Sequence, residues 1–330
     1  MLSFTRRASL VCALAILGCN AEAQRPPSFA SPAAQASSST TRTAAAETKK
    51  LQPSYSDAPN QFVEVGGRRI AYRRVGGGQP LILCNRFRGI LDSWDPAFID
   101  ALAAEFDVIT FDYSGLGLSS GAPPSDIDAM ASDVSDLADR LGIHSAVIVG
   151  WSLGGLVAQT VLSRYPKLVH HLVLIGTLPP GKLEYPAEPV FLERAHKPVN
   201  DLDDEVVLFF EPASAASARA AQLSHERIAR RTRDLSVPVP PSLWDGLHHA
   251  GRQFLADEAG VRQELMRTTT PILVISGDHD VSCPVENWFA LSKKLPTTEL
   301  VVFPRTGHGP QHEHVTASVN LISSFVRNTP

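Results

Sequence analysis

Short apolar runs alternate with amphipathic stretches along the chain from about residue 62 onward. Six of these runs are predicted strands: residues 81–84, 108–111, 146–149, 172–175, 271–277 and 299–303. Residues 62–65 and 69–75 flank Gly66-Gly67, which predicts a β-hairpin before them. Residues 96–105, and the apolar positions that recur at helical spacing between Ile127 and Leu141, are predicted helices. Strands that alternate with helices predict a doubly wound α/β fold with a mostly parallel sheet.

The alternation stops between residues 178 and 256. This segment is rich in proline and contains helical stretches near residues 203–210 and 213–233. We therefore predict a helical insertion after the sixth strand, which divides the core into residues 59–177 and 257–330. The basic residues of the second helical stretch are expected to form a solvated face: Arg227, Arg230, Arg231 and Arg233.

The composition allows one large domain with such an insertion. The chain has 330 residues, of which 44% are hydrophobic and 19% charged. Its net charge of −4 at pH 7 gives no sign of the basic surface that binds nucleic acid. No interior stretch approaches the roughly 20 apolar residues that span a membrane. We therefore expect neither a nucleic-acid partner nor a membrane span.

The N-terminus has the pattern of a targeting segment. Two arginines precede an almost wholly apolar run at residues 8–18, and an Ala-x-Ala cleavage site ends at Ala23. We predict a signal peptide over residues 1–23, with a lipoprotein signal cleaved before Cys19 as the alternative. Residues 24–58, rich in Ala, Ser, Thr and Pro, are predicted to be a disordered linker. The protein is expected to be exported, periplasmic or secreted, with a lipid anchor at Cys19 left open.

The most informative residues are GWSLGG at positions 150–155. They follow the predicted strand at residues 146–149 and precede an apolar stretch at residues 156–162, which is the context of a G-x-S-x-G nucleophile turn. Glycines two residues on either side of Ser152 leave room for a sharp turn. The hydroxyl would then project at a helix N-terminus, where backbone N–H groups favour developing negative charge. Ser152 is therefore the candidate nucleophile.

A serine nucleophile needs a base, and the base needs an acid that orients it. Downstream, one predicted strand ends at Asp278-His279-Asp280, and the strand at residues 299–303 leads to His308. The chain order Ser, Asp, His and the positions after strands indicate a hydrolytic triad at the carboxyl edge of the sheet. His308 is the candidate base, and both Asp280 and Asp278 are candidates for the acid.

Several motifs together resemble the α/β-hydrolase superfamily over residues 62–325. Residues 277–284 resemble the family's G-x-x-D-x-x-x-P acid loop, and residues 306–308 resemble its G-H base loop. Residues 111–119 resemble its D-x-x-G-x-G-x-S stretch. The resemblance implies an α/β-hydrolase fold, in which a mostly parallel central sheet is flanked by helices and residues 178–256 form a helical cap over the active site.

The same resemblance implies the roles of the candidate residues. Ser152 would be the nucleophile, His308 the general base and acid, and Asp280 the acid of the triad, with Asp278 as its rival. His312 and His314 follow His308, but their spacing matches no zinc motif. Neither a metal nor a cofactor is expected.

The oxyanion hole is where the sequence departs from the family. The family usually has His-Gly after the third strand, whereas this chain has Asn85-Arg86. The aromatic residue aligns, so the N–H groups of Phe87 and Leu153 are expected to bind the oxyanion. Arg86 stands where a residue of free φ is usual, so we expect a different loop. Its guanidinium would favour anionic or polarised substrates, or else it is a solvated arginine that packs its stem.

A hydrophobic pocket is expected to bind the substrate. Its candidate residues, besides Arg86, are Trp151, Phe209 and Phe210. The expected reaction is hydrolysis of a small to medium carboxylic ester through an acyl-enzyme. Perhydrolase, C–C hydrolase and amidase activities are alternatives, and so is a hydrolase-like receptor or carrier with little turnover. Cys84 and Cys283 are expected to be buried free thiols, with a disulfide as the alternative.

Overall fold

The computed structural model describes residues 54–329. The predicted signal peptide, the lipid anchor at Cys19 and most of the predicted linker lie outside these residues.

The core is an eight-stranded sheet with strands in the order β1-β2-β4-β3-β5-β6-β7-β8. The strands are β1 (Gln61–Val65), β2 (Arg68–Gly76), β3 (Gln79–Cys84), β4 (Phe106–Phe111), β5 (Ala146–Trp151), β6 (Val169–Ile175), β7 (Ile272–Gly277) and β8 (Thr298–Phe303). β2 pairs antiparallel with β1 and β4, and all other neighbours are parallel. The predicted α/β fold with a mostly parallel sheet is confirmed.

Helices cover both faces of the sheet. They are α1 (Pro96–Ala103), α2 (Ile127–Arg140), α3 (Leu153–Arg164), α4 (Pro189–Ala195), α5 (Leu202–Phe209), α6 (Ala215–Ile228), α7 (Trp244–Ala256), α8 (Val261–Leu265), α9 (Glu286–Ser292), α10 (Pro310–Glu313) and α11 (Val315–Asn328). Short 3₁₀ helices lie at Tyr55–Asp57, Leu91–Ser93 and Pro241–Leu243. Within residues 54–329, no helix combines the length and apolarity needed to cross a membrane.

Two hydrophobic clusters, one on each face, hold the sheet between the helices. Every residue of β4, β5 and β7 is buried, as expected for parallel strands covered on both sides. Successive residues alternate between the clusters: Ile148 packs beneath α2 and α3, whereas Val147 and Val149 face α1 and α11. The sheet is thus a rigid base whose carboxyl edge carries the loops described below.

The helices α4 to α7, called here the inserted helices, lie between β6 and β7, inside the segment predicted to be inserted. Arg227 in α6 donates from Nε to Asp95 Oδ1 at 2.8 Å, and Asp95 is fully buried. The side chain of Arg231 is 8% exposed and donates to the carbonyl oxygens of Ser56 and Ala58. The expected solvated face is therefore wrong for these two arginines, because both join the segment between β6 and β7 to the rest of the core.

The linker prediction is wrong at its C-terminal end. Tyr55 is 2% exposed, and its hydroxyl donates to Leu91 O at 2.7 Å and lies 2.8 Å from Thr110 Oγ1. One large aromatic ring, with its polar end satisfied, buries enough area to order a short polar segment. The ordered chain therefore includes residues 54–58.

Candidate active site

Ser152 lies in a strained turn between β5 and α3. Its φ of 57° and ψ of −122° are unusual for a residue with a side chain. The turn is held by hydrogen bonds on both sides: Ser152 N–H donates to Ile175 O at 3.0 Å, and Thr177 Oγ1 donates to Ser152 O at 2.7 Å. Because these hydrogen bonds hold the backbone of the turn, the strained conformation persists and the Ser152 hydroxyl is fixed at the N-terminus of α3.

The flanking glycines are required by close backbone contacts. A Cβ at Gly150 would lie 2.2 Å from Gly154 O, and a Cβ at Gly154 would lie 2.0 Å from Cys84 O. Neither backbone oxygen can move cheaply, because both belong to buried elements. The G-x-S-x-G spacing thus lets the turn pack against itself and against the end of β3.

His308 and Asp280 form a buried pair at the carboxyl edge of the sheet. His308 Nδ1 lies 2.8 Å from Asp280 Oδ2, and the two residues are 1% and 5% exposed. Asp280 Oδ1 accepts from the N–H groups of Ser282 and Cys283 at 2.8 Å each. These bonds fix the carboxylate, which in turn fixes the imidazole with Nε2 free.

The rival acid lies elsewhere. Asp278 is exposed, and its Oδ1 lies 2.6 Å from His279 Nδ1, the next residue along the chain. The structure therefore brings Asp280, and not Asp278, to His308.

Trp151 supports the imidazole from behind. Its Nε1 donates to His308 O at 2.9 Å, and the side chain is 1% exposed. Directly after β6, a Cβ at Gly176 would lie 2.4 Å from His308 O and 3.2 Å from His308 Nδ1, so only glycine lets the chain pass this close. The prediction that Trp151 lines the substrate pocket is wrong, because strand alternation directs it beneath the site.

The loop after β3 is braced by Asn85, which occupies the place of the family's histidine. Asn85 Nδ2 donates to Ile90 O at 2.7 Å, and its Oδ1 accepts from Arg86 N–H at 3.0 Å. A Cβ at Gly89 would lie 2.1 Å from that oxygen. We call residues 85–90 the arginine loop, since it presents Arg86 and Arg88; Arg88 adopts a φ of 59°.

Phe87 and Leu153 remain predictions as oxyanion donors. Both residues line a cavity that reaches Ser152. Within residues 54–329, neither backbone N–H donates a hydrogen bond to another protein group. Leu153 is the first residue of α3, so its N–H has no partner inside the helix. Two free donors near a nucleophile are what an oxyanion hole requires.

Two cavities meet at Ser152. The smaller, about 100 Å³, is lined by Arg86, Phe87, Arg88, Ser152, Phe191, Ala195, Asn200, Leu208, Phe209 and His308. The larger, about 260 Å³, is mostly apolar and is bounded by α3, α4 and α7, with Leu153, Leu156 and Leu247 among its lining residues. Ser152 and His308 thus share one cavity, and the inserted helices form its far wall.

The cavities revise the predicted pocket. Arg86 and Phe209 line the smaller one as expected, whereas Phe210 is 4% exposed and lines neither, because its backbone packs against Gly307. Sequence reasoning missed Arg88 and Asn200. Arg88 could have been found because it lies two positions after Arg86, but no motif in the sequence indicates Asn200.

The remaining histidines and cysteines have other surroundings. His312 is buried against Trp151, with ring centroids 4.8 Å apart, and burial lowers the pKa of its imidazole to about 4. Cys84 and Cys283 are buried free thiols, as predicted. Cys283, Asp280 and His308 offer ligand atoms within 4.8 Å of one another. However, burial raises the pKa of the Cys283 thiol well above its usual value, which keeps it protonated and a poor metal ligand.

Comparisons with known proteins agree with this geometry. The family model of the alpha/beta hydrolase fold matches residues 79–315. A pimeloyl-[acyl-carrier protein] methyl ester esterase of Nitrosomonas europaea is 27% identical over 250 residues, 73% of this chain and 93% of that protein. A putative non-heme chloroperoxidase of Synechocystis is 28% identical over 265 residues, 78% of this chain and 95% of that protein. The solved structure of an alpha/beta hydrolase fold protein from Chitinophaga pinensis matches with a TM-score of 0.74 and 26% identity, covering 84% of this chain and all of the other. This chain therefore belongs to the alpha/beta hydrolase family and is an enzyme of that family.

Proposed function

We propose that this enzyme hydrolyses a small to medium carboxylic ester through an acyl-enzyme on Ser152. The observation that carries the proposal is the shared cavity: a serine held in a strained turn and a histidine paired with a buried carboxylate line the same space. The similarity to a methyl ester esterase supports the choice of an ester.

In the proposed mechanism each group has one role. Ser152 Oγ attacks the ester carbonyl while His308 Nε2 accepts its proton, since Nδ1 is engaged by Asp280. The N–H groups of Leu153 and Phe87 stabilise the oxyanion. When the tetrahedral intermediate collapses, the C–O bond breaks and the alcohol leaves with the proton from His308. Water then attacks the acyl-enzyme by the same steps, which releases the carboxylic acid and restores Ser152.

The test combines covalent labelling with turnover. Wild type and Ser152→Ala are treated with a fluorophosphonate, and intact mass is measured alongside p-nitrophenol release from acetate and octanoate esters. One adduct on wild type, none on Ser152→Ala, and ester turnover by wild type alone are the expected results.

Other outcomes would redirect the proposal. An adduct on Ser152 without ester turnover would favour the amidase, perhydrolase or C–C hydrolase activities, which share this nucleophile. Neither adduct nor turnover, in protein that unfolds cooperatively, would favour a receptor or carrier.

A further inference from the structure

The two cavities at Ser152 differ in chemistry. The larger is walled mainly by leucine and aromatic side chains, with Arg252 as its one arginine, whereas the smaller combines two arginines and an asparagine with aromatic side chains. A substrate that fills both would therefore place an apolar group in the larger cavity and a polar group beside the arginines of the smaller one.

Arg86 is held in the smaller cavity by aromatic faces. Its Cζ lies 4.6 Å from the ring centroid of Phe209 and 5.3 Å from that of Trp151. Burial lowers the pKa of its guanidinium to about 10, so the group remains charged at neutral pH. Aromatic faces offset part of the cost of burying this charge.

One edge of this guanidinium has no partner. Nη1 donates to Phe87 O at 2.9 Å, but Nε is buried without an acceptor, and Nη2 makes no hydrogen bond within residues 54–329. Among these residues, no carboxylate forms an ion pair with Arg86, and Glu205, which acts on it from a distance, is 2.9 Å from His225 Nδ1. An unpaired buried charge is costly, so this edge favours an anionic partner.

Arg88 lines the same cavity, but its guanidinium is already hydrogen-bonded. Its guanidinium donates to the carbonyl oxygens of Ala195, Lys197 and Pro198 and lies 4.2 Å from the ring centroid of Trp244. Arg88 therefore joins the arginine loop to the inserted helices and has no comparable free edge. Of the two arginines, Arg86 is the one available to a ligand.

We infer that Arg86 binds a carboxylate of the substrate, which makes the substrate class monoesters that carry a second, ionised carboxyl group close to the scissile bond. Nη2 shares this edge of the planar guanidinium with Nε, and Nη2 is the donor that a carboxylate oxygen can reach, because Nε has no exposed surface. Arg86 is thus a specificity-determining residue beside His308. The inference rests on the proposed ester hydrolysis and adds to it a charge requirement.

The test uses a matched pair of substrates, the mono-p-nitrophenyl ester of glutaric acid and p-nitrophenyl valerate, which differ in a terminal carboxylate. Wild type is expected to prefer the glutarate ester. Arg86→Gln is expected to lower kcat/KM for that ester by about 10- to 100-fold, mainly through KM, because a charged hydrogen-bonded pair is worth about 1.5–3 kcal/mol. The same variant should lower kcat/KM for valerate by a smaller factor, so that the ratio of the two kcat/KM values falls by about 10-fold or more.

Controls separate charge from packing. Arg86→Lys keeps the charge and should retain part of the preference, whereas Arg86→Met keeps the apolar stem and should lose it. Arg140→Gln removes the same charge at the exposed C-terminal end of α2, at the opposite edge of the sheet, and should leave the preference unchanged. Equal losses on both esters in Arg86→Gln would overturn the inference, since Arg86 would then only support Phe209 and Trp151.

A binding measurement keeps the inference separate from the proposed reaction. Calorimetry with Ser152→Ala should detect binding of the glutarate monoester, and the double variant with Arg86→Gln should bind it about 10-fold or more weakly. Binding that depends on Arg86 without turnover in wild type would support this inference and overturn the proposed hydrolysis. Turnover of valerate, with no preference for glutarate and no Arg86-dependent binding, would overturn this inference alone.

Discussion

The nucleophile turn and the arginine loop lie side by side, yet they are built differently. β3 and β5 are parallel neighbours, with Cys84 opposite Gly150, so both loops leave the same edge of the sheet. The nucleophile turn is held by backbone contacts within a few residues and to β6. The arginine loop is held by the Asn85 side chain and, through Arg88, by the inserted helices more than 100 residues away in sequence.

The difference matters because each loop supplies one proposed oxyanion donor. Leu153 is fixed by the start of α3, whereas Phe87 depends on a side-chain brace and on the inserted helices. In the proposed mechanism, the nucleophile turn would supply the nucleophile and one oxyanion donor, and the arginine loop would supply the other donor and, through Arg86, the preference for a substrate.

The largest effect is expected from Ser152→Ala, which removes the nucleophile and leaves the turn intact. Ester turnover should fall by about 10⁴-fold or more, with the free energy of unfolding little changed. His308→Ala should cost about as much, and the double variant should cost no more than either single one, because the residues act as a unit. Additive losses measured by kcat would contradict a shared mechanism.

The next effect tests the contact between the two regions. Gly154→Ala places a Cβ 2.0 Å from Cys84 O and 2.7 Å from Asn85 O, so it should push the nucleophile turn and the arginine loop apart. We expect a loss of about 1–3 kcal/mol or more in the free energy of unfolding and of about 10²-fold in kcat/KM. Denaturant unfolding and ester kinetics measure the two.

Gly77→Ala is the matched control for that change. A Cβ at Gly77 meets nothing within 4 Å, and its φ is not in the left-handed region. Stability and activity should therefore stay near wild type. If Gly154→Ala had the same stability and kcat/KM as Gly77→Ala, the close approach of the two loops would not be required for folding or activity.

Acid pH should affect the two regions in opposite directions. Beneath the nucleophile turn, burial lowers the pKa of His312 to about 4, with Asp95, Arg86 and Arg227 nearby. Between pH 6.5 and 4 the unfolded chain binds a proton at this histidine that the folded chain does not, so stability falls as pH falls, by roughly 3 kcal/mol.

Beside the arginine loop the sign is reversed. Burial raises the pKa of Asp112, which accepts from Leu91 N–H, to about 6. Its contribution to stability is complete below the unfolded pKa and is lost as pH rises through about 6, again by roughly 3 kcal/mol. Relative to wild type, His312→Gln should gain stability on acidification from pH 7 to 4, and Asp112→Asn should lose it. Unfolding free energies measured at each pH test both slopes, and equal slopes in all three proteins would contradict the assignment.

The difference between local contacts in the nucleophile turn and distant contacts in the arginine loop also explains which features the sequence could predict. The strands and the nucleophile turn follow from local patterns, because apolar runs and glycine spacing act over a few residues. Asp280 was distinguishable from Asp278 only by resemblance, since both follow the same strand, and the structure decides by which side chain reaches His308.

The wrong predictions concern side chains whose surroundings are determined by residues distant in the sequence. Arg227 and Arg231 have the pattern of a solvated face, but their partners are Asp95 and the segment before β1. Trp151, a candidate for the pocket, is adjacent to Ser152 in the sequence, but strand alternation turns its side chain beneath the site. The unpaired Nε of Arg86 could not be predicted either, because it depends on which side chains from distant parts of the chain reach the guanidinium.

The smallest effect is expected at Asn85, and it tests whether the brace or the inserted helices hold the arginine loop. Asn85→Ala leaves Ile90 O and Arg86 N–H without their present partner, which should cost about 1–2 kcal/mol in the free energy of unfolding. Displacement of the Phe87 N–H should lower kcat by about 10-fold, since an oxyanion donor depends on its position. Asn85→Asp places a carboxylate oxygen against Ile90 O at a fully buried position and should destabilise the protein at least as much as Asn85→Ala. Asn328→Ala, at an exposed end of α11, is the control and should change neither quantity. Wild-type activity and stability in Asn85→Ala would mean that the contacts of Arg88 with the inserted helices are enough to hold the arginine loop. The conformation of the loop would then depend on the inserted helices and not on the Asn85 side chain.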